Sequence, residues 1–261
     1  MATLFANIIA IYRKELATYF AAPFSYVIAG VFWLISGSMF YNILTGIIQE
    51  AALNDQFGGG SVDVPYQVLQ TFLLSLTTLS FFLLPMLSMG LYAEERRRGT
   101  LELLATAPIT NWVVALAKLL GVLTFFTTMV LPMMIYEAIA FSASDPPLPM
   151  NLMLVGHLGL VLMAGAVLSL GMFISSLTDR TILAAILTFI LVVVLLIIEG
   201  LASAATGPVG EALGHLSLLK HYANFAQGII DTSSIVLFLS YIFLGIFLTA
   251  QSVELLRFQR S

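Results

Sequence analysis

No Asp, Glu, Lys or Arg occurs from Leu16 to Gln49, from Val64 to Ala93, or from Pro146 to Thr178. Further charge-free stretches run from Leu119 to Tyr136, Thr181 to Ile198 and Thr232 to Val253. A helix needs about 20 mostly apolar residues to cross the hydrocarbon of a bilayer. The six runs therefore predict six spans, at about 24–48, 67–91, 113–140, 152–176, 181–204 and 234–254. The period-two alternation of a lipid-facing barrel strand is absent and the runs are too long for one. Helices are the remaining way to satisfy a backbone in lipid. With 60% hydrophobic and 9% charged residues, the chain cannot cover a soluble globule with polar surface. A net charge of −4 leaves no basic field for nucleic acid. Zero cysteines exclude disulfides and thiolate-held metals.

The connections set the orientation. Six spans put both ends on one side. That side collects Arg13, Lys14, Arg96, Arg97, Arg98, Lys118, Arg180, Arg257 and Arg260, and the other collects only Lys220. Basic residues accumulate on the cytoplasmic side, so both termini are expected there. Acidic links 50–65 and 142–149 then face outward. The Gly58-Gly59-Gly60 run reads as a flexible loop.

Residues 1–22 do not read as a signal peptide, because Arg13-Lys14 follow the apolar stretch instead of preceding it. At about 100° per residue, Phe5, Ile8, Ile9, Tyr12, Leu16, Tyr19 and Phe20 share one face. This predicts an amphipathic helix lying in the membrane interface, ended before Pro23. An N-terminal extension packed on the protein is the alternative. The organisation is then residues 1–22 as interfacial helix and 23–261 as a six-span domain.

Catalytic signatures are missing: no P-loop, no His-Glu-x-x-His and no Gly-x-Ser-x-Gly. His157 reads as a helix-packing residue, and His215 and His221 as loop residues. Glu137 and Glu199 are the ionisable groups nearest to membrane depth. Glu199 lies 19 residues past Arg180, about 28 Å along a helix. Both are expected at the outer rim with access to water, or as contacts on an outer path or gate.

The one dense polar element is Tyr92 to Trp112, YAEERRRGTLELLATAPITNW. Gly99 permits a sharp turn. Thr100 to Thr106 then predicts a short helix ended before Pro108, with Thr110 and Asn111 as caps of the next span. An anchor loop needs only basic residues. This one mixes signs and adds Leu101, Leu103 and Leu104 as an apolar side that needs a cover, which suits docking of a soluble partner.

Glu94-Glu95-Arg96, Gly99-Thr100-Leu101-Glu102, Leu104, Pro108 and Lys118 resemble the signature of ABC-2 type transporter permeases. The N-terminal Arg13-Lys14-Glu15-Leu16, Tyr19-Phe20, Pro23 and Tyr26 are similar to the subgroup named for gliding motility. So are Ser175-Ser176-Leu177-Thr178 and the stretch His221-Tyr222, Phe225 and Gly228 to Asp231. The resemblance implies an all-α integral membrane fold. It has six transmembrane helices, the N-terminal interfacial helix, and outer re-entrant helices between spans five and six.

It also implies an exporter subunit in the inner membrane of a prokaryote. A second copy, or a similar permease, completes the path. Two ABC ATP-binding subunits carry ATP and Mg, and this chain binds no cofactor. An auxiliary extracytoplasmic subunit is a further candidate partner. Coupling falls on Glu94, Glu95, Arg96, Arg97, Arg98, Gly99, Thr100, Leu101, Glu102, Leu104 and Pro108. Glu137, Glu199 and His221 are the outer path or gate candidates. An ATP-independent secondary transporter or channel is the alternative, and it requires ionisable groups at depth. A membrane-bound enzyme requires a polar catalytic set that the spans lack.

Overall fold

The computed structural model describes residues 2–57, 63–101, 110–205 and 207–258. Gly58 to Gly60 and residues 102–109 lie outside these. Among the described residues every regular element is a helix. They are α1 (Ala2–Ala21), α2 (Pro23–Gln56), α3 (Val64–Ser88), α4 (Ala93–Arg98) and α5 (Asn111–Ser142). There follow α6 (Met150–Leu177), α7 (Thr181–Ala204), α8 (Pro208–Leu216), α9 (Leu218–Ala226) and α10 (Thr232–Phe258). Six of them, α2, α3, α5, α6, α7 and α10, are long and apolar enough to cross a membrane.

The helices start where the chain chemistry allows and run past the apolar stretches. Pro23 sits in the first turn of α2, where its missing N–H costs nothing. Asp63 accepts from the Tyr66 N–H and caps α3. Thr110 occupies the cap position of α5, but its side chain makes no cap bond. Its backbone carbonyl accepts from Val113 and Val114 instead.

α6 forms the centre and packs against α3, α5, α7, α9 and α10. Lipid supplies no hydrophobic force between spans, so close packing of small residues has to hold them. α6 meets that need with Gly156, Gly159, Ala164, Gly165, Ala166, Ser169 and Gly171, all buried. On α10, a Cβ added at Gly245 would stand 2.5 Å from the backbone carbonyl carbon of Ser169. α2 and α7 lie at the periphery and leave rows of large apolar side chains exposed, as lipid-facing helices do.

α1 lies against α5. A Cβ at Gly121 would meet the Glu15 Cβ at 2.8 Å, so this glycine sets the approach of the two helices. Tyr12 donates to Thr124 Oγ1 (3.2 Å), Tyr19 donates to the Leu87 carbonyl (2.6 Å), and the Tyr19 ring stacks on Phe125. The apolar face expected for the membrane interface is therefore divided. Leu16 and Tyr19 of that face pack on the bundle, with Ile11 beside it, whereas Phe5, Ile9 and Phe20 stay exposed. The physical reason is Glu15, which shares the inward side and must reach a partner there.

At the opposite end the chain between α7 and α10 folds into two short helices instead of a free loop. His215 falls on α8 and His221 on α9, so neither is a loop residue. α9 seats against α3 and α6: Tyr222 donates to the Leu73 carbonyl (3.2 Å), and a Cβ at Gly159 would collide with Phe225.

Candidate functional site at the charged end of the bundle

The turn Met89–Tyr92 delivers α4 onto the end of α6. A single hydroxyl, Ser175 Oγ, accepts from the N–H groups of Tyr92 (3.1 Å) and Ala93 (3.0 Å) and donates to the Met89 carbonyl (2.8 Å). It thereby satisfies donors that the start of a helix leaves open. Arg96 Nη1 donates to the Ser176 carbonyl (2.6 Å), a cation on the negative end of α6. α4 is thus tied to α6 by both its start and its fourth residue, Arg96.

Beneath α4 lies an ion cluster. Lys118 Nζ stands 2.7 Å from Glu15 Oε1, 3.0 Å from Glu95 Oε1 and 2.8 Å from the Leu91 carbonyl. An ammonium has three donors, and these three acceptors match them. The Tyr92 ring lies 5.0 Å from the same nitrogen, within cation–π range. The Lys118 side chain is 2% exposed, so the charges are paired because they are buried. Lys14 adds a looser, exposed contact to Glu95 at 3.4 Å. Burial, with Glu15 nearby, pushes the Tyr19 hydroxyl well above the usual phenol range, so it stays a donor to Leu87.

The outer side of α4 is solvent-facing. Arg98 lies 2.5 Å and Arg97 3.8 Å from Glu94 Oε1, with the two arginine side chains 66% and 58% exposed. Gly99 closes α4 in the left-handed region at φ 69°. The Gly99 N–H bonds back to Arg96 and the Thr100 N–H to Glu95, the pattern of a glycine-terminated helix. Gly99→Val should therefore lower the stability of this corner by about 1–3 kcal/mol, with Gly99→Asn much milder. Amide hydrogen exchange of residues 93–100 in the two variants checks the order.

The sequence expectations are met unevenly here. Glu94 to Thr100 do gather at one end, where a helix not expected from the sequence, α4, precedes Gly99; the helix expected over Thr100 to Thr106 falls almost wholly outside the described residues. Glu102, Leu103, Leu104 and Pro108 lie outside the described residues. Leu101 departs from its expected exposed docking face: it is 9% exposed and belongs to the chain's own core. For Leu101 the bundle supplies the cover that a partner was expected to provide.

The three residues expected on an outer path have different partners. Glu137 is not a rim carboxylate with access to water. It is fully buried, and His157 Nε2 faces its Oε1 at 3.4 Å. Counting residues along α5 gave its depth but not its face, and the face points inward to α6. Glu199 accepts from Ser217 and joins the end of α7 to the α8–α9 corner. His221 is buried beside Ser234 Oγ (2.8 Å), and desolvation holds its imidazole below the ordinary range. Asp231 bonds to the hydroxyl and N–H of Ser233; these hold its carboxyl low.

The pairing of Glu15 with Lys118, and the role of Ser175 in holding the start of α4, escaped the sequence reading. A signal existed for the pair: Lys118 interrupts an apolar span and Glu15 an apolar helix face, and each needs an opposite charge. Nothing in the order of residues said that the two are each other's partner.

A family model described as ABC-2 family transporter protein matches residues 60–245. The match starts after α2 and runs from α3 through the first half of α10. It speaks for the family at large and not for the gliding-motility-like subgroup. No curated protein matches the chain. A match over more than half of a chain of six apolar helices, with the charged α4 between the second and third, leads to one assignment. The chain belongs to the ABC-2 transporter family and is a multi-pass membrane permease component of an ABC transporter, not its ATPase.

Proposed function

We propose that the chain is the permease subunit of an ATP-driven exporter in the inner membrane of a prokaryote, with both termini cytoplasmic. Two ATP-binding subunits dock at the end carrying α4 and the link that follows it, and a second permease copy completes the path. The exposed side of α1 rests in the interface of the same leaflet. The observation that carries this reading is α4. It presents Arg97 and Arg98 to solvent, while its other side is fixed to α6 by Ser175 and Arg96 and to α1 and α5 by the Lys118 cluster. A push on such an element moves helices as bodies, which is how domain gating works.

Burial of Leu101 alters the experiment. Leu101→Asp would injure the fold, so docking is tested by Arg97→Glu with Arg98→Glu, combined with Leu104→Asp. Isolation of the wild type from native membranes should bring P-loop ATPase subunits with it, and the triple variant should lose them while unfolding at the same temperature. A triple variant that keeps its ATPases would sink the docking reading. For orientation, Ala143→Cys and Asp179→Cys place single thiols on exposed links at opposite ends of this cysteine-free chain. The Asp179→Cys thiol should label from the cytoplasmic side only, and the reverse pattern would invert the topology.

One observation favours the second reading, an ATP-independent transporter: Glu137 and His157 form an ionisable pair buried inside the bundle, the kind of group such a protein needs. Transport that persists without ATPases and stops in Glu137→Gln would decide for it.

A further inference from the structure

Two adjoining cavities flank the junction of α1 with the bundle. The first, about 420 Å³, lies between α1, the start of α2, the Met89–Leu91 turn and α4. Its walls carry Lys14, Lys118 and Arg98 against Glu15, Glu94 and Glu95, so the charges balance. The second, about 260 Å³, runs between α2 and α3 and is apolar throughout, with Val27, Val31, Leu79 and Phe82 along it. Phe24, Ile28 and Met86 line both. The polar chamber therefore continues into the apolar groove. From Phe24 to Ile35 the groove follows α2 for about 16 Å. Val27, Val31 and Phe82 are more than half exposed, so the groove opens sideways, toward lipid.

The chamber also holds an unmet demand. Glu95 Oε1 faces Lys118 and Lys14, but Glu95 Oε2 is buried without any hydrogen-bond partner. A buried carboxylate oxygen left without a donor is costly. Glu95 lines the cavity, so a small rotation of its carboxylate would bring Oε2 to a donor held there.

We propose that chamber and groove together bind one phospholipid with a primary-amine headgroup, taken from the leaflet on the α1 side. Its ammonium donates to Glu95 Oε2. Its phosphate meets Lys14 and Arg98, whose side chains are largely exposed at the mouth. An acyl chain lies in the groove beyond Phe24 and Ile28. A balanced lining suits a zwitterion. An anionic headgroup without an amine would bring three carboxylates a net negative charge and at most neutral hydroxyl donors, and a quaternary amine has no N–H for Glu95. The site stands apart from the ATPase reading, because it needs only the bundle and the bilayer.

The test is native mass spectrometry of the purified full chain. The chain is first equilibrated with equal amounts of phosphatidylethanolamine, phosphatidylcholine and phosphatidylglycerol of matched acyl chains. The wild type should retain phosphatidylethanolamine about tenfold over either competitor, the discrimination that one charge-assisted hydrogen bond carries. Glu95→Gln should lose that preference. Val31→Trp, which fills the groove far from every charge, should lose the bound lipid while the ion cluster stays intact. If Glu95→Gln fails to fold, Val31→Trp decides alone. Equal retention of the three lipids by the wild type, or unchanged retention in Val31→Trp, overturns the proposal.

Discussion

Lys118→Met should destabilise the protein by about 3–5 kcal/mol, the usual cost of removing one partner from a buried ion pair. Two carboxylates, Glu15 and Glu95, share this ammonium within 3.0 Å, and the substitution leaves both without their cation. The lost packing is small, because methionine fills much of the same space. The size of the effect thus comes from charge. It follows that the triple variant Lys118→Met, Glu15→Gln, Glu95→Gln should recover much of the loss, since uncharged replacements of a buried network are often neutral. Thermal unfolding of the three proteins in one detergent gives the comparison. Hydrogen exchange should show α1 loosening from α5 in the single variant. A single variant as stable as the wild type would mean that water reaches the cluster.

Gly245→Val should be comparably damaging for an unrelated reason. The new Cβ would meet the Ser169 carbonyl carbon at 2.5 Å and the Ser169 side chain at 2.5 and 2.6 Å. The first of these is backbone and cannot rotate away. α10 and α6 would have to part along their whole contact, and overpacking of this kind costs about 1–3 kcal/mol or more. Gly165→Ala supplies a control in the same interface. Its Cβ meets the tip of Ile242 at 3.1 Å, a flexible end that can give way. Gly37→Ala supplies another, because that Cβ enters open space and alanine favours the helix by up to about 1 kcal/mol. The expected order of melting temperature is Gly37→Ala highest, Gly165→Ala near the wild type and Gly245→Val lowest. A Gly245→Val protein that melts with the wild type would show that α10 does not depend on this contact.

The six spans were legible because lipid imposes a length and forbids charge, and both leave a mark in the order of residues. Their ends were less so. α2 continues to Gln56, past Glu50 and Asp55, since hydrogen bonding along a helix does not stop where hydrophobicity does. α4 was read as part of a charged link and not as a helix; the turn before it is held by Ser175, 82 residues away from Ala93. Glu137 was placed correctly along its helix and wrongly around it, because angular position matters only once the neighbouring helix is known. Leu101 shows the same gap from the other side. An apolar residue in a charged link looks available to a partner until the chain's own core claims it. The left-handed glycine at position 99 was readable, as few other residues close a helix that way.

The central position of α6 has a mechanical consequence. Its 28 residues form a rod about 42 Å long. Near one end Ser175 and Ser176 grip α4. Toward the other, Gly156 and Gly159 sit flush against Leu73 and Phe225. Small residues along the shaft leave no slack with α10 at Gly245. A rod clamped in this way resists bending and turns as one piece. A displacement of α4 would therefore be expected to reach the foot of α9, at the opposite end of the bundle, through α6 acting as a single body.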